Sequence, residues 1–222
     1  MSEVNNGIKS KQRVAEFGEV FTPENIVNDM LDLVKDESYK LESTFLEPAC
    51  GNGNFLVKIL SRKLETALGL SVADFPRNVF IAVSSIYGID IQLDNVKESK
   101  DRMMQIIRGT YEKETGYFIE DDNPEFNKAL QYILDTNIIW GNALTGLQEK
   151  DKKDIIIAEW NIVDDTVERK DYAFRNLTEA GNILYNTAEK EYEKVNYWDV
   201  HKAKEKKSGD HSLDAFFAEF GL

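Results

Sequence analysis

The chain has 222 residues, 42 % of them hydrophobic and 30 % charged, which suits one folded domain with or without an extension and excludes a disordered or collagen-like polymer. Forty acidic against 27 basic residues give a formal charge of −13, the wrong sign for a protein that grips nucleic acid alone, so DNA binding would need a local basic patch or a partner. Two histidines and one cysteine cannot furnish a Cys/His zinc site, no metal is indicated, and no run approaches the length of a membrane span.

The polar start MSEVNNGIKSKQR does not read as a signal peptide, so a cytoplasmic location is expected. The first marked element is GEVFTPENIVNDMLDLV, residues 18–34. Thr22 is a suitable N-cap, Pro23 fits the first helical position, and Ile26, Val27, Met30, Leu31 and Val34 form one apolar face. An ordinary capped helix explains that much; the EVFTP ahead of it has no evident structural necessity.

FLEPACGNGNFLVKIL, residues 45–60, reads as strand, glycine turn, helix, the first βα unit of a nucleotide-binding sheet. The breaks at Gly51 and Gly53 are expected to leave backbone amides open to a small ligand just where a helix begins. No third glycine follows at the dinucleotide spacing, so the pair by itself also fits a plain tight turn. Cys50, which has no partner for an internal disulfide, is expected to be a compact packing residue.

Residues from Pro76 onward fit a helix running into a short strand at Tyr87-Gly88-Ile89-Asp90, which puts Asp90 at a strand's carboxyl end, where acids of such folds accept hydrogen bonds from ribose hydroxyls. Residues 95–108 form another predicted helix, with Val96, Met103, Met104, Ile106 and Ile107 inside. Residues 112–128, polar and interrupted by Gly116 and Pro124, read as a surface connection before a short helix around Lys128–Leu134. NIIWGNAL (137–144) and DIIIAEW (154–160) both look like buried parallel strands. Beyond Trp160, DYAFRNL suggests one more strand, LTEAGNILYNTAEKEYEKV a helix, HKAKEKKSGDH a charged linker, and HSLDAFFAEFGL a short helix capped by Ser212.

GEVFTP, FLEPACGNGNFL, YGIDI and NIIWGNAL, in that order, resemble the adenine-specific DNA methyltransferases of restriction-modification systems, particularly type I modification subunits, over roughly residues 13–160. The resemblance implies an α/β, Rossmann-like S-adenosylmethionine-dependent methyltransferase fold, mostly parallel, with helices on both faces. It divides the chain into a cofactor domain with an N-terminal capping segment, residues 1–165, and a C-terminal extension, residues 166–222, that completes the sheet or forms a helical contact region. It also implies S-adenosylmethionine as cofactor. Phe21, Thr22 and Pro23 match the segment that closes over the methionine end. Glu47, Ala49, Cys50, Gly51 and Gly53 match the turn beside the methionine moiety, Asp90 the ribose-binding acid and Ile91 the side chain lining the adenine. Asn142 stands where the family usually has an aspartate on the adenine amine, and its carbonyl can accept the same hydrogen bond.

The family's catalytic Asn-Pro-Pro-Tyr is missing, and Glu159, Trp160 and Asn161 occupy its place. Glu159 accepting from the target amine and Trp160 stacking on a flipped base would preserve the chemistry; a capping acid and a core tryptophan would mean that it is lost. Two functions follow: a DNA adenine methyltransferase acting with a DNA-recognising partner, as homo- or hetero-oligomer and away from membranes, or an inactive cofactor-binding module serving an assembly. With weak strand signals after residue 160, the sheet would be truncated relative to an autonomous enzyme.

Overall fold

A computed structural model describes residues 9–70, 72–179 and 188–207. Three helices open the chain: α1 (Lys11–Phe17), α2 (Glu24–Asp32) and α3 (Lys35–Tyr39). The cap of α2 differs from expectation, because Pro23 itself occupies the N-cap position with no side-chain hydrogen bond and Thr22 lies outside the helix. The buried face is also narrower. Only Val27 and Leu31 are buried, one turn apart, while Ile26, Met30 and Val34 stay exposed.

The main sheet follows the expected alternation. Strand β1 (Phe45–Glu47) leads through the glycine turn to α4 (Asn54–Leu68), then α5 (Phe75–Ser84), β2 (Ile86–Asp90) and α6 (Leu93–Thr115). Where a surface connection was expected, α7 (Ile119–Asp122) and α8 (Pro124–Asn137) bury Ile119 and Phe126 completely. Pro124 does not break structure here. It starts α8 at a position whose amide needs no partner, behind Asn123, whose side chain accepts from the Phe126 amide. Strand β3 (Ile138–Asn142) then pairs parallel to β2, as β2 does to β1, and the two-residue β4 (Leu147–Gln148) closes the order β1-β2-β3-β4 antiparallel.

The parallel strand expected over 154–160 is instead the first arm of a hairpin in a second sheet. Strand β5 (Ile156–Val163) pairs antiparallel along its whole length with β6 (Thr166–Ala173). Parallel return requires a crossover, usually helical. Here the residues after β3 make a turn, β4 and another turn, so the chain re-enters from the end at which it left. The expected boundary at residue 165 falls in the tip of this hairpin.

After β6, α9 (Phe174–Glu179) replaces the end of the expected strand. Of the helix expected over 177–195, residues 177–179 belong to α9, residues 180–187 lie outside the described residues, and the remainder carries β7 (Lys190–Glu191) and the start of β8 (Val195–Asn196), both paired with β6. The expected linker at 201–211 is docked over its described part, by a bridge from Glu205 to Tyr192 and an ion pair from Lys206 to Glu168. The Ser212-capped helix lies outside the described residues. The core joins α4, α5, α6 and α8 through Leu60, Phe80, Met103, Ile107, Leu130 and Ile133, which agrees with the core reading of Met103 and Met104. No helix of the described residues is long and apolar enough to cross a membrane.

Candidate functional site

The carboxyl ends of β1, β2 and β3 open into a cleft of about 560 Å³. Ligands bind to α/β sheets at this end because the strands stop there and loops and helix starts converge. Lining it are Phe21 and Thr22 from the N-terminal segment, Glu47, Ala49, Cys50 and Gly51 from the turn after β1, Asp90 and Ile91 from the end of β2, and Asn142 from the end of β3. Four separate stretches that were matched by order in sequence thus meet in one place. Pro23 and Gly53 adjoin lining residues in sequence but are not themselves among them.

The glycine turn is built for close approach. Gly51 has φ +54°, and a Cβ there would sit 3.1 Å from the Phe21 ring; Gly53 has φ +85°, and a Cβ there would come within 2.8 Å of Ser99 Oγ. Only glycine supplies both the left-handed backbone and the space. Three of the turn's amides, however, are not open as expected. The Cys50 amide donates to Ile89 O at 2.9 Å, the Gly51 amide to Asp90 Oδ2 at 2.8 Å and the Gly53 amide to Cys50 O at 2.9 Å. Asp90 therefore holds the turn against the end of β2, and these amides are spent inside the protein and not on a phosphate.

Electrostatics point the same way. Glu19, Glu47 and Asp90 line the cleft, and no lysine, arginine or histidine does among the described residues. Burial raises the Glu47 carboxyl above its ordinary range, partly offset by a hydrogen bond from the Ala49 amide. Burial, then the Asp90 charge, pushes the Cys50 thiol up to about 12, so it is an un-ionised packing group under Gly88 and no nucleophile. Asn142 Oδ1 accepts from the Leu144 amide at 2.9 Å and keeps a second lone pair.

Two residues that sequence reasoning passed over complete the site. Glu19 belongs to the GEVFTP stretch, and Asn95 stands in the first turn of α6, just beyond Asp90. Asn95 Nδ2 donates to Glu19 Oε2 at 2.9 Å and to Asp90 Oδ1 at 3.2 Å, tying the N-terminal segment to the end of β2. Arg13 grips Glu19 and also pairs with Asp94 at 2.6 Å, while Asn54 Nδ2 donates to Thr22 O at 2.9 Å. Thr22 is thereby fixed over the cleft through its backbone, which accounts for its position outside α2.

Glu159, Trp160 and Asn161 are not brought to this cleft. They lie in the middle of β5, where Trp160 Nε1 donates to Asn137 Oδ1 at 3.0 Å and Glu159 Oε2 accepts from Tyr172 at 3.0 Å. Asn137 immediately precedes β3 and also donates to Ser84 O and Ile86 O, which marks the amino end of the sheet. The five-residue β2 separates the two ends by roughly 13 Å. The reversed direction of β5 is what carries the triplet away.

A family model described as N-6 DNA methylase matches residues 9–178. No curated protein and no solved structure matches the chain closely enough to count as a relative.

Proposed function

The chain belongs to the N-6 DNA methylase family, and from that premise we propose that the cleft binds S-adenosylmethionine and that the protein, joined to a DNA-recognising partner, methylates the exocyclic amine of adenine as a modification subunit of a restriction-modification system. The observation that carries the cofactor assignment is the three-carboxylate lining without a cation, on a glycine turn in which the Cys50, Gly51 and Gly53 amides are already engaged. Such a lining disfavours phosphorylated nucleotides and suits a nucleoside bearing positive charge. When bound, the cofactor supplies a methyl group activated by a sulfonium.

The residues take their parts from their positions. Glu47, with its carboxyl at the end of β1, orients the ammonium; Asp90 takes the ribose; Ile91 covers one face of the adenine and the second lone pair of Asn142 meets its amine. Phe21 and Thr22, with Pro23 behind them, close over the methionine end, and Ala49, Cys50, Gly51 and Gly53 shape the floor. The sheet then serves as a Rossmann-like half-fold, in a protein working in the cytoplasm.

Calorimetric titration of S-adenosylmethionine tests this. Wild-type protein should bind, and Asp90→Ala should bind at least about tenfold more weakly, roughly 1.4 kcal/mol. Absence of wild-type binding would overturn the cofactor assignment.

A second reading, a cofactor-binding module that serves an assembly without transferring methyl groups, is favoured by the placement of Glu159, Trp160 and Asn161 at the far end of the sheet. The two part on one assay. Labelled methyl groups should pass from S-adenosylmethionine to duplex DNA when the chain is combined with its recognition subunit; binding without transfer would leave the module.

A further inference from the structure

Acceptor capacity in the cleft is unevenly used. A carboxylate oxygen carries two lone pairs. Asp90 Oδ1 accepts from the Gln92 amide at 2.8 Å and from Asn95 at 3.2 Å, and Oδ2 accepts from the Gly51 amide at 2.8 Å. One acceptor position remains on Asp90. A ribose presents two vicinal hydroxyls, so Asp90 in this arrangement serves one of them and leaves the other without an acid.

Glu19 shows the complementary imbalance. Its side chain is only 8 % exposed, and all its bonds fall on Oε2, which accepts from Arg13 Nε at 3.0 Å, from Arg13 Nη2 and from Asn95 at 2.9 Å. Oε1 is buried and has no hydrogen-bond partner among the described residues. A buried carboxylate oxygen without a donor costs free energy that a bound donor would recover. Glu19 lines the same cleft as Asp90, and the single amide of Asn95 links the two acids.

We infer that Glu19 is a second ribose-binding acid: Glu19 Oε1 and the remaining position on Asp90 accept one hydroxyl each from the cofactor's vicinal diol. The inference rests on the S-adenosylmethionine assignment above and deepens it. Arg13 and Asn95 are then positioning residues, since they hold Oε2 and turn the other oxygen free. The N-terminal segment becomes part of the nucleoside site and not only a cover for the methionine end.

Glu19→Gln is the informative change. Arg13 and Asn95 are donors, so the amide oxygen stays with them and the NH2 takes the place of Oε1, presenting a donor where the hydroxyl needs an acceptor. Wild type and variant are titrated by calorimetry with S-adenosylhomocysteine and with its 2′-deoxy and 3′-deoxy analogues. Glu19→Gln should lose about tenfold in affinity for the parent nucleoside and less than about twofold for the one analogue that lacks the hydroxyl Glu19 holds. Equal losses for all three compounds, as a purely structural anchor of the N-terminal segment would give, would overturn the inference, and so would no loss for any. Should Glu19→Gln melt well below wild type, Glu19→Asp, which keeps the charge and shortens the reach, is put through the same comparison. Failure of the wild type to bind either S-adenosylmethionine or S-adenosylhomocysteine overturns the cofactor assignment and this inference together; wild-type binding indifferent to Glu19 overturns the inference alone.

Discussion

Lys63 lies in the middle of α4 with no exposed surface, and its amine donates to Leu41 O at 2.9 Å, Ser43 O at 2.5 Å and Ser85 Oγ at 2.6 Å. These contacts tie the helix after the glycine turn to the loop before β1 and to the residue before β2, so they set the frame from which both cleft-forming loops leave. Three acceptors match the three hydrogens of an ammonium, yet burial dominates and pushes the group from its ordinary 10.5 down to about 7. Between those values the unfolded chain holds a proton that the folded chain gives up. Stability therefore rises with pH across this window, by roughly 2 kcal/mol between about pH 7 and pH 9. Urea denaturation at the two pH values should show that slope in the wild type and lose it in Lys63→Met, whose baseline stability is lower because Ser43 O loses its donor. At the same scale, the cleft separates residues fixed by the fold from residues free for a ligand: the Cys50 thiol and the amides of Cys50, Gly51 and Gly53 are committed, whereas Glu19 and Asn142 retain acceptor capacity.

Helices placed by local chemistry carry much of the architecture. Helix α8 shows how a proline misleads when its partner residue is ignored. Asn123 and Pro124 together start a helix, and Phe126, Leu130 and Ile133 then seat it in the core. Replacing Asn123 with alanine removes the acceptor for the Phe126 amide and should cost about 1 kcal/mol in a denaturation experiment. Since the end of α8 delivers Asn137 and β3, a loosened start is felt as lower overall stability with the cleft residues unchanged. The hairpin of β5 and β6 teaches the opposite lesson. The run Ile155-Ile156-Ile157 reads as a buried strand whichever way it travels, because an apolar run records burial and not direction. Direction depended on what the residues between β3 and β5 do, and these form turns and a two-residue strand.

For the whole molecule, the formal charge of −13 dominates encounters with other macromolecules. Duplex DNA is repelled by most of this surface, and phosphate neutralisation is the main source of affinity without sequence readout. The isolated chain should therefore bind a fluorescently labelled duplex no more tightly than roughly 100 µM at physiological salt, as read by anisotropy. Micromolar or tighter binding by the chain alone would remove the need for a DNA-recognising partner.

The sequence by itself determined the parallel core of the fold, β1 through β3 with α4 to α6, and the four stretches, from Phe21 to Asn142, that line one cleft. Those features are local: a glycine turn, an acid at a strand end and an apolar period are each written within a few neighbouring residues. Tertiary structure alone decided three further things. It sent β5 back antiparallel and so carried Glu159, Trp160 and Asn161 to the amino end of the sheet. It consumed three of the turn amides through Ile89 O, Asp90 and Cys50 O. It brought Glu19 beside Asp90 through Asn95, across more than seventy residues of chain. Hydrogen-bond satisfaction is a property of what the folded chain places around each group, and no count of neighbours along the sequence reveals which oxygen will be left with a lone pair to give.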